Sequence, residues 1–313
     1  MKEKSQLEIW MAQIRANFLL LVVLLVLIGW GLVFKYLPEG VSFNWFDAIL
    51  VMLGALSAHI SVNLFNEYSD FQTKIDFKTE RTPFSGGSGM LAKGFLQPGQ
   101  VIAAAIGTLL FSAVVGVYFT FTAHWSILVI SLIGAIAIVF YTSFLARYML
   151  GEFIAGLALG TLVVIGSFVA LFASPEMSLS QAMPLELILI SIPPGILTSL
   201  LLLINEFPDV EADKEGGRYH LVIRFGRGKS AYIYTAGMIL TFVILALIPI
   251  LGITSNWLLL ALLPFPLGIR AAVGAIRHGG DIPKLIPYLG MNVMVVLGTD
   301  FLIALSLFIS VFS

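Results

Sequence analysis

Two short words, Asn-Glu-Tyr-Ser-Asp at 66–70 and Asn-Glu-Phe-Pro-Asp at 205–209, share the pattern Asn-Glu-aromatic-x-Asp in a 313-residue chain with only 18 acidic side chains. Extended, the first gives Asn66, Asp70 and Asp76, and the second Asn205, Asp209 and Asp213. Asn66/Asp70 and Asn205/Asp209/Asp213 are spaced i, i+4, so each set lines one face if a helix carries it. Two carboxylates ~6 Å apart repel by roughly 3 kcal/mol at an effective dielectric near 20. The C-terminal end of a helix adds a further penalty for anions. Divalent cations reverse both costs. Oxygen-only ligands suit Mg²⁺, which completes its shell with water and substrate phosphate. Two such cations between two acidic sets would clamp a diphosphate. Glu67, Glu206 and Glu211 are expected to be bystanders, solvated or paired with nearby Lys and Arg.

Basic residues accompany the acids. Lys74, Lys78 and Arg81 follow the first word, and Lys214, Arg218 and Arg224 follow the second. Arg15 opens the first apolar segment and Arg147 closes the fourth. Arg presents a fork of donors that matches phosphate oxygens. The run Ser-Gly-Gly-Ser-Gly at 85–89 reads as a hinge or lid, with a backbone anion nest as the alternative. Glu152 stands at the start of the fifth apolar segment. It is either an acid favoured by the helix dipole or a group that binds or deprotonates an acceptor. His59 reads as a packed, hydrogen-bonded histidine. Asp300 falls midway along the last apolar segment, where an acid is a functional candidate by default.

The elements that position these groups follow from composition. The chain is 59% hydrophobic and 11% charged, with mean hydropathy +1.00. A soluble domain carries about 25% charged residues. Uncharged stretches of bilayer-spanning length recur, so the fold class is an all-α integral membrane protein. Nine transmembrane helices are expected near 17–35, 46–65, 101–122, 126–146, 151–173, 186–204, 231–251, 256–276 and 287–311, the first being a retained helix rather than a cleaved leader. With the N-terminus inside, only Lys35 of the 17 Lys and Arg falls outside, which the positive-inside rule favours. Both words then lie at the cytoplasmic face, in inner loops 66–100 and 205–230. Four helices separate them, which suggests a parallel internal repeat around a central cavity. Pro193-Pro194 is expected to kink helix six. The absence of cysteine excludes disulfides and thiolate metal sites. A net charge of -1 gives no sign of a nucleic-acid partner. A cation-coupled transporter remains an alternative class, although transporter sites gather near the midplane.

With these residues in view, the chain resembles the UbiA-type superfamily of intramembrane prenyltransferases. The resemblance is carried by Asn-Leu-Phe-Asn-Glu-Tyr-Ser-Asp at 63–70 and by Asp-Val-Glu-Ala-Asp-Lys-Glu-Gly-Gly-Arg-Tyr-His-Leu-Val-Ile-Arg-Phe-Gly at 209–226. The Asp70-x5-Asp76 spacing, Tyr-Thr at 141–142 and Gly-Glu at 151–152 look like the 1,4-dihydroxy-2-naphthoate (menaquinone-pathway) branch. Pro208 stands where that branch often has Arg, and the 81–89 run carries no part of the resemblance.

The resemblance implies a single domain over 1–313 with nine helices. It implies two Mg²⁺ held on a polyprenyl diphosphate by Asn66, Asp70, Asp76, Asn205, Asp209 and Asp213. Arg15, Lys74, Arg147, Lys214 and Arg218 would contact the diphosphate, and Tyr141 and Glu152 the acceptor side. The acceptor is expected to be 1,4-dihydroxy-2-naphthoate, with 4-hydroxybenzoate, homogentisate, a tetrapyrrole or glycerol phosphate as alternatives. The allylic cation left by diphosphate would be captured by the aromatic ring in a dry site. Phe65, Tyr68, Phe140, Tyr141 and Phe144 are candidate aromatic faces for that cation. The expected location is a prokaryotic plasma membrane, with the site towards the cytoplasm.

Overall fold

A computed structural model describes residues 4–140 and 144–312, and these residues form helices and turns without strands. A short α1 (Gln6–Gln13) opens with a capping box. Glu8 N–H donates to Ser5 Oγ at 3.2 Å, while Ser5 N–H donates to Glu8 Oε2 at 2.8 Å. This satisfies two of the donors that a helix start leaves unpaired. The chain then turns at Arg15 (φ 55°) and passes through Ala16–Phe18 into α2 (Leu19–Tyr36). The long helices that follow are α3 (Trp45–Gln72), α4 (Pro98–Thr122), α5 (Ser126–Phe140), α6 (Gly151–Phe172), α7 (Leu185–Glu215), α8 (Leu221–Ile250), α9 (Phe265–His278) and α10 (Ile282–Ser310). α8 is interrupted at Gly226, and a 3-10 stretch, Asn256–Leu262, leads into α9.

Among the described residues eight helices are long and apolar enough to cross a membrane. α5 is apolar but has 15 residues, about 22 Å of helix against a core of about 30 Å. The expected continuation of α5 to 146 runs through 141–143, outside the described residues.

Two helix ends differ from the sequence expectation. α3 runs to Gln72 instead of 65, and α7 runs to Glu215 instead of 204. Apolarity stops where the bilayer surface is expected, but backbone hydrogen bonding continues. Both acidic words therefore stand on helices, and the links beyond them shorten to 73–97 and 216–220. Pro193, Pro194 and Pro208 all lie within α7. Thr161 Oγ donates to the Ser191 carbonyl, and Thr198 Oγ to the Pro194 carbonyl, near the proline pair.

α2 is buried against α6 and α10, while α3 packs on α4 and α7 on α8. Leu25, Ile28 and Leu32 of α2, Phe168 of α6, Leu197 and Phe207 of α7 and Tyr234 of α8 belong to one buried core. α6 and α7 approach closely at two glycines. A Cβ on Gly160 would lie 2.7 Å from the Gly195 Cα, so only glycine permits the contact. This approach follows a π-helical turn at Leu157–Thr161, and it draws the start of α6 against the end of α7. Away from the acidic words, Lys35 meets Glu186 at 2.5 Å and Thr254 at 3.1 Å, and Tyr36 donates to the same Glu186. That cluster ties α2, α7 and the α8–α9 link together.

Candidate active site

The ends of α3 and α7 enclose a cavity of about 200 Å³. Asn66, Asp70, Asp76, Asn205, Asp209 and Asp213 all line it, together with Arg15 and Arg218. The two words, distant in sequence, thus face one space. Arg218 joins them directly: Nη1 donates to Asp213 Oδ1 at 2.8 Å, and Nη2 donates to Asn66 Oδ1 at 3.1 Å and to Asp70. Its position follows from local chain direction. Arg218 N–H closes onto the Asp213 carbonyl after Gly217 (φ 84°). Tyr219 then pairs with the 146–149 segment, exchanging backbone hydrogen bonds with Ala146 and Met149.

Asp76 reaches the cavity from the turn beyond α3, after Lys74 in the left-handed conformation (φ 62°). Arg81 donates to the Asp76 carbonyl at 2.7 Å and lies 3.4 Å from its Oδ1. Burial, then the neighbouring Glu67 and Asp70 carboxylates, push the Asp76 carboxyl up to about 7. Asp76 Oδ2, Asn205 Oδ1 and Asp209 Oδ1 are buried without hydrogen-bond partners among the described residues. Unpaired buried oxygens are costly. An all-oxygen set of this kind fits a hard divalent cation such as Mg²⁺.

Three of the expected diphosphate contacts stand elsewhere. Lys74, Arg147 and Lys214 are exposed and do not line the cavity. Lys214 follows Asp213 by one residue, which turns it about 100° away around the helix. Tyr141 lies outside the described residues. The aromatic expectation also shifts. Phe65 and Tyr68 pack on a small cluster with Ile9 and Leu64, and Phe140 and Phe144 are about half exposed. Phe18 and Phe84 are the aromatic side chains that line the cavity.

Two of the supposed bystanders are buried. Glu67 is 1% exposed and accepts from Ser88 N–H at 2.8 Å and Ser88 Oγ at 2.5 Å. Glu206 is buried and lines the cavity, 3.3 Å from His220. Glu211 is exposed, 3.9 Å from Arg227, as expected. Helical continuity was the missed signal. Asn63, Glu67 and Asp70 are spaced i, i+4, i+7, and Glu206, Asp209 and Asp213 i, i+3, i+7, so each Glu shares its Asp's face.

The Ser85–Gly89 run is laid across the first word. Gly87 (φ 67°) presses so closely that a Cβ there would sit 2.9 Å from Asp76 Oδ1 and 3.0 Å from Glu67 Oε1. Phe84 packs beside Gly290 of α10. Ser88 N–H is spent on Glu67, which leaves that amide engaged rather than open to an anion. The strap therefore spans from α3 to α10.

His59 lines the cavity with Nδ1 3.2 Å from the Ala55 carbonyl, a packed and hydrogen-bonded histidine as expected. Asn63 donates to the Ile14 carbonyl at 2.9 Å and fixes the chain ahead of Arg15. Glu152 lies outside the cavity lining and accepts the Leu221 N–H at 2.8 Å, so it caps α8 rather than its own helix. Asp300 is fully buried, and its carboxyl oxygens have no hydrogen-bond partner among the described residues. His220, which the sequence reading did not single out, also lines the cavity.

A model of the UbiA prenyltransferase family matches residues 22–283, which takes in both words. The chain belongs to the UbiA prenyltransferase family. It is a multi-pass membrane prenyltransferase. The 1,4-dihydroxy-2-naphthoate octaprenyltransferase of Bacillus subtilis (strain 168) is 28% identical over 233 residues, 74% of this chain and 71% of that protein. The protein of the same description from Escherichia coli (strain K12) is 25% identical over 98% of this chain and 97% of its own length. Among solved structures, the apo UbiA homolog from Aeropyrum pernix K1 superposes with a TM-score of 0.71 at 15% identity, covering 94% of this chain and 98% of that one. A UbiA homolog from Archaeoglobus fulgidus, described as bound to DMAPP and Mg²⁺, gives a TM-score of 0.62 at 15% identity over the same shares.

Proposed function

We propose that this UbiA prenyltransferase transfers the prenyl group of a polyprenyl diphosphate to 1,4-dihydroxy-2-naphthoate in a Mg²⁺-dependent reaction. In this reading residues 1–313 form one domain of nine spans in a prokaryotic plasma membrane, with the N-terminus and site on the cytoplasmic side. The observation that carries it is the convergence of both acidic sets on one cavity, joined by Arg218 and leaving three buried oxygens without partners. The acceptor is supported by the descriptions of the Bacillus and Escherichia relatives and by the Asp70-x5-Asp76 spacing. Mg²⁺ is supported by the description of the Archaeoglobus structure and by the oxygen donors present.

Asn66, Asp70, Asp76, Asn205, Asp209 and Asp213 would hold two Mg²⁺, whose charge stabilises diphosphate as it leaves. Arg15 and Arg218 add cationic charge on the same wall. The carbon–oxygen bond to diphosphate breaks, a bond forms between the allylic carbon and a ring carbon of the acceptor, and the group on that ring carbon leaves without its bonding electrons, as CO₂ from the carboxylated carbon or as a proton from its neighbour, which restores the aromatic ring. Leu21, Val62, Leu159, Leu201 and Leu202 line the cavity with hydrocarbon and exclude water from the allylic cation. Phe18 and Phe84 offer it ring faces. The test is product identification by mass spectrometry on the purified chain in lipid, across aromatic acceptors and prenyl diphosphates, with and without Mg²⁺. A prenylated naphthoquinol product that requires Mg²⁺ is expected. Turnover of 4-hydroxybenzoate or homogentisate with none of the naphthoate would overturn the acceptor. Proton- or Na⁺-coupled flux with no turnover would overturn the reaction.

A further inference from the structure

Beside the cavity three side chains from three different elements converge: Glu152 at the start of α6, Glu206 on α7 and His220 just ahead of α8. One ligand atom from each lies within 4.8 Å of the others. Their exposures are 4%, 8% and 2%. The diphosphate clamp uses none of them.

Their orientations point to a shared ligand. Glu152 is fixed by the Leu221 N–H on Oε1, and its buried Oε2 has no hydrogen-bond partner among the described residues. Glu206 Oε2 also has none, and it faces His220 Nδ1 at 3.3 Å. On the other side of the ring His220 Nε2 lies 3.3 Å from Asp213 Oδ2. A carboxylate behind the far nitrogen is the usual support of a metal-binding histidine, because it sets the tautomer that frees the near nitrogen. His220 thus stands between two carboxylate oxygens, each 3.3 Å from a ring nitrogen, and neither ring nitrogen has a hydrogen-bond partner among the described residues. Such a contact holds either a shared proton or a metal cation, and only a cation engages all three groups at once.

We propose that Glu152, Glu206 and His220 form a divalent-cation site separate from the diphosphate clamp, with His220 Nδ1 and one oxygen of each glutamate as ligands. One nitrogen and two oxygens select an ion of the Zn²⁺ or Mn²⁺ class over Mg²⁺, which prefers oxygen alone. Two carboxylates and a neutral imidazole balance its two charges. Bonds of about 2.0–2.2 Å at tetrahedral angles hold ligand atoms about 3.3–3.6 Å apart, so the groups would close by up to about 1.5 Å on binding. Because Glu206 and His220 line the cavity, the remaining coordination position opens towards it, for water or another oxygen ligand. Cation binding here does not depend on the acceptor or on prenyl transfer.

The test uses the full chain in detergent, stripped with EDTA, titrated with Co²⁺ in the presence of excess Mg²⁺ to fill the clamp. One saturable equivalent of Co²⁺ with visible ligand-field absorption, displaced by Zn²⁺, is expected. Glu152→Gln and Glu206→Gln keep side-chain volume and should each weaken that affinity at least tenfold, while Asp70→Ala leaves it intact. The chain contains no cysteine, so His220→Cys introduces a single thiol. A thiolate-to-Co²⁺ charge-transfer band in that variant would place position 220 in the ligand shell. Absence of saturable Co²⁺ binding in the wild-type chain would overturn the proposal and leave the three groups to protons. Binding that survives both Gln variants and disappears in Asp70→Ala would overturn it too, since the ion would then sit in the clamp.

Discussion

Removal of the Arg218 guanidinium perturbs a group that touches both acidic words. Arg218 is 16% exposed, and its partners Asp213 and Asp70 are 2% and 8% exposed. Breaking a buried pair by deleting one partner costs about 3–5 kcal/mol, because the surviving charge is left uncompensated. Asp70 and Asp213 contact the same guanidinium, and carboxylates about 5 Å apart repel by roughly 3 kcal/mol at an effective dielectric near 20. The two figures describe one effect and do not add. If the same cationic charge serves the departing diphosphate, Arg218→Ala should lower kcat/KM by about two to three orders of magnitude, which 3–4 kcal/mol of lost transition-state stabilisation would produce. Substrate-free Mg²⁺ binding should move the other way. Asp70 and Asp213 no longer share their oxygens with Arg218, so affinity for the ion should hold or rise. The assay is single-turnover transfer in nanodiscs at a series of Mg²⁺ concentrations, beside direct Mg²⁺ titration without donor. Arg218→Lys should recover only part of the rate, since an ammonium cannot reproduce the fork that spans both words. The reasoning is refuted if Arg218→Ala stays within fivefold of wild type, or if Mg²⁺ affinity falls along with activity.

Asp209→Asn keeps the shape of a side chain whose Oδ1 has no partner. It should reduce turnover at least a hundredfold while leaving the fold intact by size-exclusion and circular dichroism; near-normal turnover would remove Asp209 from the ligand set. Glu67→Gln keeps an acceptor for Ser88 and should cost less than tenfold in kcat/KM. Glu67→Ala deletes two hydrogen bonds to a charged acceptor, at about 1.5–3 kcal/mol each, and should loosen the 81–89 strap, visible as faster amide exchange there. Equal damage from both Glu67 variants would make Glu67 a ligand rather than a fastening. Gly87→Ala meets the Asp76 and Glu67 carboxylates and a left-handed backbone, so it should weaken Mg²⁺-dependent donor binding several-fold. Gly94→Ala (φ 72°) meets nothing within 4 Å and serves as the backbone control. Equal binding by the two glycine variants would show that the strap's contact with the acids is unimportant.

Much of the site was legible because its pattern is periodic. The Asn and Asp spacings place their side chains on one face of a helix, and α3 and α7 do continue through both words. Helix ends were less legible. Apolarity marks where a span leaves lipid, not where backbone hydrogen bonding stops, so composition alone places 66–72 and 205–215 in loops. The same error hid Glu67 and Glu206, since a loop has no face to share. The basic residues were harder still. Arg15 and Arg218 line the cavity while Lys74, Arg147 and Lys214 do not, and the choice is made by turns at Arg15, Lys74 and Gly217 that leave weak local signals. His220 required two long-range approaches, α6 onto α7 and the 219 pairing with 146–149. No local spacing encodes either.

The central claim is that the two acidic words make one Mg²⁺-dependent diphosphate site. A double-mutant cycle on donor binding tests it most directly: affinity for a non-cleavable prenyl thiodiphosphate in wild type, Asp70→Ala, Asp209→Ala and the double variant, with and without Mg²⁺. One shared site predicts that either single variant abolishes the Mg²⁺-dependent part of binding and that the double variant is no worse than the singles. Additive losses, or tight donor binding without Mg²⁺ in the wild-type protein, would contradict it.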